Sequence, residues 1–151
     1  MRDRYEALID YLAKKFDDSS CSQSTRKGCN NSQLSHLMKV QNVGHLPKLY
    51  HDFMCAFGED SGGLISVGKF TYKYAINFKN FWGATVIPSD AYIFFSDLEN
   101  FAYCFLTNSK EDDPLIYLLS ENPDDGHLQL SKYISLSEFI MEWMDSVLDV
   151  C

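Results

Sequence analysis

Tyr92-Ile93-Phe94-Phe95, Phe101-Ala102-Tyr103-Cys104-Phe105-Leu106, Leu115-Ile116-Tyr117-Leu118-Leu119 and Leu128-Gln129-Leu130-Ser131-Lys132-Tyr133-Ile134 follow one another as four short apolar runs. What separates them decides the fold. The intervening stretches are polar and rich in Asp, Asn and Ser, the residues that make turns. Asn122-Pro123-Asp124-Asp125-Gly126 is the strongest of these turn signals. None of the connections reads as a helix, so consecutive strands are expected to pair antiparallel.

Downstream, the chain closes on a helix. Ser135 is a good N-cap, and Glu138 three residues later completes a capping box. Leu136, Phe139, Ile140, Trp143, Met144 and Val147 then recur at helical spacing and make one apolar face that must dock on something. Upstream, Phe70, Tyr72, Tyr74, Ile76 and Phe78 alternate, which predicts a strand, although residues 74–82 also fit a helix. Residues 64–67 and 85–87 are further strand candidates, and Gly62-Gly63 permits a tight turn before them.

Helices are expected at the front of the chain. Residues 2–16 carry Tyr5, Leu8, Ile9, Leu12 and Phe16 as one stripe. Residues 17–32 are polar and read as a loop. Residues 33–40 form a short helix with Leu34, Leu37, Met38 and Val40 inward. Pro47 opens a third helix, where its missing N–H costs nothing, and Leu49, Tyr50, Phe53, Met54 and Phe57 make its stripe. Gly58 stands where a left-handed C-terminal residue is wanted. Helices, then strands, then one helix predict an α+β class with an antiparallel sheet.

A chain of 151 residues has the usual size of one domain, and 46% hydrophobic and 15% aromatic content suffices for a real core. No stretch approaches the roughly 20 apolar residues of a membrane-spanning helix. The charges scattered through residues 1–16 are not those of a secretory signal. Five cysteines, an odd number without paired spacing, argue against a disulfide framework. A reducing compartment is therefore expected, most simply the cytoplasm. Cys55 and Cys104 lie in apolar runs and are expected to be buried.

The net charge of −8 is unevenly spread. Residues 1–89 hold eleven Lys/Arg and eight Asp/Glu, whereas residues 90–151 hold two and thirteen. Such a surface repels phosphate backbones, which argues against direct nucleic-acid binding. A basic protein partner is the positive reading, and solubility alone the bland one.

Catalytic constellations are sparse. No Gly-x-Ser-x-Gly elbow or phosphate-binding glycine loop occurs. Cys104 lacks the electropositive setting that a reactive thiol needs. His51 and Cys55 stand four apart on one helix, but two ligands do not make a zinc site. No cofactor and no metal are expected. The acidic residues Asp97, Glu99, Glu111, Asp112, Asp113, Glu121, Asp124 and Asp125 all fall in turns. Solvated carboxylates suit general acid chemistry poorly. Alternate turns of an antiparallel sheet emerge at the same end, so some of the eight could form one acidic rim. Tyr92, Tyr103 or Tyr117 could supply aromatic anchors beside it.

Three segments carry a family resemblance. They are Leu46-Pro47-Lys48-Leu49-Tyr50-His51-Asp52-Phe53 with Phe57-Gly58; Asp97-Leu98-Glu99-Asn100-Phe101-Ala102-Tyr103-Cys104-Phe105; and Leu115-Ile116-Tyr117 followed by Ser137-Glu138-Phe139-Ile140. In this order the chain resembles the SUKH superfamily, the fold of the fungal Smi/Knr cell-wall regulators and of many bacterial toxin-immunity proteins. The likeness covers residues 33–147. Residues 1–32 are longer and more polar than the family's usual lead-in, and the family often has a helix where residues 70–78 alternate. The resemblance implies a single domain over residues 1–151 with a bent sheet and helices packed around it. It also implies a non-catalytic role: an immunity protein that binds and neutralises a basic toxin domain, often a nuclease. The alternative within the family is a regulatory scaffold or adaptor. Outside it stands an enzyme with an unrecognised site.

Overall fold

A computed structural model of the chain describes residues 3–64, 69–82, 87–97 and 100–151. Helix α1 (Arg4–Asp17) begins where the Asp3 carboxylate accepts from the backbone N–H groups of Tyr5 and Glu6, at 3.0 and 2.9 Å. It buries Ile9, Leu12, Ala13 and Phe16. Helix α2 (Asn31–Val40) starts two residues earlier than periodicity alone predicts. The reason is Asn30, which forms a reciprocal capping box with Gln33. Helix α3 (Lys48–Phe57) follows Pro47 and buries seven of its ten residues.

Gly58 departs from expectation. Its φ of −73° is right-handed, so no left-handed cap requires glycine there. Space requires it instead: a Cβ on Gly58 would stand 2.5 Å from both Cys29 Sγ and Met54 O. Gly62 and Gly63 do adopt positive φ, 69° and 95°, and make the expected tight turn.

Residues 70–78 are helical rather than extended. They contribute to α4 (Tyr72–Ala75) and α5 (Phe78–Trp82). The buried side chains here are Phe70, Ala75, Phe78 and Trp82, whose last three positions are three and four apart. The alternating Tyr72, Tyr74 and Ile76 are only half-buried. Burial therefore followed the helical period, and the alternation was incidental. The strand candidates at 64–67 and 85–87 fall largely outside the described residues.

The four apolar runs form β1 (Ala91–Ser96), β2 (Phe101–Leu106), β3 (Leu115–Glu121) and β4 (Leu128–Ser135), paired antiparallel in the order β1-β2-β3-β4. Helix α6 (Leu136–Asp149) closes the chain, with Ser135 Oγ accepting from Glu138 N–H. The fold is α+β, with helices before and after an open antiparallel sheet.

Burial falls across the sheet. All six residues of β1 are buried, whereas none of β4 is fully buried. Tyr50 of α3 meets Tyr92 and Phe105 at ring distances of 5.0 and 5.4 Å. The Tyr50 and Tyr92 hydroxyls, both fully buried, satisfy one another at 2.7 Å. Phe139 of α6 packs edge-on against Phe94 and Phe95. Beyond the end of α2, the buried Gln41 side chain donates to Ile93 O and accepts from Ile93 N–H, both at 2.7 Å. The helices thus cover β1 and β2 and leave the β3–β4 hairpin at the margin.

Cys21 and Cys151 form a disulfide, with Cα atoms 5.5 Å apart. This corrects the expectation of unpaired thiols. The partners are 130 positions apart, and sequence spacing carries no sign of a pair that the tertiary fold alone brings together. No helix among the described residues is long and apolar enough to cross a membrane.

Candidate binding surface

The eight acidic residues singled out above do not share one rim. Register aligns Phe101 with Ser120, and Ser120 with Gln129. The β1–β2 turn with Asp97 therefore emerges at the same end of the sheet as Glu121, Asp124 and Asp125. Glu111, Asp112 and Asp113 lie in the β2–β3 connection at the opposite end. Glu99 lies outside the described residues.

Nor are the eight equivalent. Glu111, Asp112, Glu121, Asp124 and Asp125 are exposed. Asp125 is partly engaged in its own turn, accepting from His127 N–H at 2.9 Å. Asp113 is a structural cap: its carboxylate accepts from Ser137 N–H at 2.8 Å and Ser137 Oγ–H at 2.6 Å, at the start of α6. Arg4 is close enough to Asp113 and Asp112 for both charges to act on its guanidinium.

Sequence reading missed a second acidic strip. Glu138, Glu142, Asp145 and Asp149 are exposed along α6 at spacings of four, three and four. The helix contains no Lys or Arg. Like charges at such spacing repel by a few tenths of a kcal/mol per pair, and Asp145 and Asp149 also face the negative end of the helix dipole. The spacing was visible in the sequence, interleaved with the apolar stripe. The bland reading is a solvated helix face.

Of the tyrosines considered as anchors, Tyr92 is fully buried, and Tyr103 and Tyr117 are half-buried. Beside them on the sheet, Tyr133 of β4 is exposed, 47% accessible and stacked on Tyr103 at 5.4 Å.

Elsewhere, Asp3, Glu6 and Asp52 bring three carboxylates together. The cation among them is Lys48, whose Nζ lies 2.6 Å from Asp52, 3.1 Å from Glu6 and 3.6 Å from Asp3. Burial alone would lower the Lys48 pKa, but the hydrogen bonds it donates to Asp52 and Glu6, together with the charges of Asp52 and Asp3, outweigh it and raise it. The cluster ties α1 to α3. A cavity of about 280 Å³ opens beside it, lined among others by Asp10, Arg26 and Cys55.

His51 and Cys55 do face each other, with Sγ 3.9 Å from Nδ1. Among the described residues no third donor completes that pair. Cys55 is exposed, contrary to expectation, because the buried face of α3 is taken by Leu49, Tyr50, Phe53, Met54, Ala56 and Phe57. Burial pushes the Cys29 and Cys104 thiols up to about 12. Partial burial raises the Cys55 thiol too, with the Asp52 charge adding to the effect. A small thiol reagent is therefore expected to modify Cys55 alone in the native chain, and Cys29 and Cys104 only on unfolding. Rapid labelling of Cys104 in the folded protein would contradict its burial.

Comparison with protein-family models, curated proteins and solved structures finds no match for the chain.

Proposed function

We propose that the chain is a non-catalytic protein-binding domain of the immunity type, one that binds and neutralises a basic toxin domain such as a nuclease. The observation that carries this reading is the distribution of exposed charge. Residues 90–151 hold thirteen carboxylates against two cations, and the exposed ones occupy both ends of the sheet and the outer face of α6. A nuclease must be basic to hold its substrate, so an acidic surface both steers it in and competes for its groove. The family resemblance points the same way and remains part of the proposal. Cytoplasmic residence now rests on this function alone, since Cys21 and Cys151 are paired. A regulatory adaptor would share the same charge distribution; a toxin gene beside this one would favour immunity.

The test is kinetic. The partner is captured on the purified chain from its native cell, and association is then timed as salt rises from about 0.1 to about 1 M, which shortens the Debye length from about 10 to about 3 Å. The rate should fall by at least about tenfold, within the range electrostatic steering commands. Glu111→Lys with Asp112→Lys should slow it further. Asp113 is left intact, because its reversal would uncap α6. A rate indifferent to salt and to both substitutions would reduce the acidity to a solubility device.

A further inference from the structure

The geometry points to the free edge of β4 as a strand-addition site for an extended, lysine- or arginine-bearing segment of the partner. This rests on the binding function proposed above and gives it a surface. β4 pairs with β3 alone and ends the sheet. Among the described residues, no backbone hydrogen bond links it to anything outside the sheet. Natural edge strands are blunted by shortness, proline, charged side chains (lysine above all) or bulges, and in β4 the lysine and the bulge both fall at residues 132–134, leaving 128–131 without either. β4 is the longest strand of the sheet at eight residues, contains no Pro or Gly, and carries one charge, Lys132.

Its register is regular from Leu128 to Lys132, opposite Glu121 to Tyr117. A bulge then places Tyr133 and Ile134 together opposite Ile116 and bounds the site. Gln129, Ser131 and Lys132 are exposed along this stretch, and Leu128 and Leu130 are half-buried. At the bulge stands exposed Tyr133, stacked on Tyr103, an aromatic anchor of the kind that carries binding energy. Strand addition supplies affinity through main-chain hydrogen bonds and specificity through alternate side chains.

Charge selects the occupant. Glu121, Asp124 and Asp125 stand exposed before the strand and Glu138 after it, against the single Lys132. Opposite charges across neighbouring strands stabilise and like charges destabilise. A second copy, with its own net charge of −8, would bring the same carboxylates to the same edge. A cationic strand complements them.

A short synthetic peptide of alternating lysine and valine serves as the probe, and hydrogen exchange of the β4 amides as the readout. Exchange at the outward-facing amides of residues 128–132 should slow by at least about tenfold. The same peptide with proline at alternate positions, or with glutamate for lysine, should leave exchange unchanged. Gln129→Lys with Ser131→Lys, both at exposed positions, should abolish protection, and Lys132→Glu should strengthen it. Protection equal with the proline peptide, confined to residues outside β4, or absent altogether overturns the proposal. So does a dimer that the paired lysine substitutions dissolve, since a second copy would then hold the edge. Undiminished capture of the native partner by the Gln129→Lys, Ser131→Lys variant overturns docking at β4 and leaves the immunity reading standing; a salt-indifferent partner instead removes the charge argument under both, while capture lost on these substitutions still locates the partner at β4.

Discussion

Replacing Cys21 and Cys151 together by serine should lower the urea midpoint of unfolding by the equivalent of about 3–5 kcal/mol. The disulfide closes a loop of 130 positions, nearly the whole chain. In the chain-entropy account a loop of about 100 residues already restricts the unfolded ensemble by about 4.7 kcal/mol, and removal of native disulfides commonly costs 2–5 kcal/mol. Domains of this size hold about 5–15 kcal/mol in total, so the loss is a large share. The bond also has a local effect. It fastens Cys21, just beyond α1, to Cys151, just beyond α6, and so holds the two terminal helices against each other. The parent treated with reductant should match the double variant. If midpoint and slope are the same with and without the bond, the disulfide contributes nothing to the native balance.

That bond marks the limit of what the sequence could disclose. The four strands were legible because each apolar run is bounded by turn residues, and β2 begins and ends where its run does. Helix α6 was legible because its cap and stripe agree. What failed were features that depend on the far side of a contact. Residues 70–78 alternate in hydrophobicity, but the surface that received them took Phe70, Ala75, Phe78 and Trp82. Cys55 sits in an apolar stretch, yet the helical turn points it outward beside His51. Gly58 was read as a conformational device and proved a steric one, because Cys29 crosses there. The acidic turns were countable from sequence. That alternate turns share an end followed from antiparallel pairing, but the strand order that decides which turns those are, and the diversion of Asp113 into capping α6, needed the structure.

Trp143→Ala should destabilise the chain by about 3–5 kcal/mol, in the range for truncating a packed aromatic. The indole sits where three parts of the fold meet. Its ring lies 5.9 Å from Phe53 of α3, 5.0 Å from Phe70, 5.6 Å from Phe95 of β1 and 6.2 Å from Phe139 of α6. Three of these neighbours are themselves at least nine-tenths buried, so removing the half-buried indole strips packing from all of them at once. Glu142→Ala, one position away on the exposed side, is the control. It keeps the helix and should change stability by less than about 0.5 kcal/mol. The contrast separates docking of α6 from its intrinsic helicity. Matching urea midpoints for Trp143→Ala and the parent would mean that the helix is not anchored through this cluster. The proposed binding follows the same link, because α6 carries the acidic strip of Glu138, Glu142, Asp145 and Asp149 on the face opposite its buried one. A helix released from the sheet no longer holds those carboxylates in register. Trp143→Ala should therefore slow partner association under conditions where most of the chain remains folded, and Trp143→Phe, which keeps a ring in the cluster, should restore much of both stability and rate.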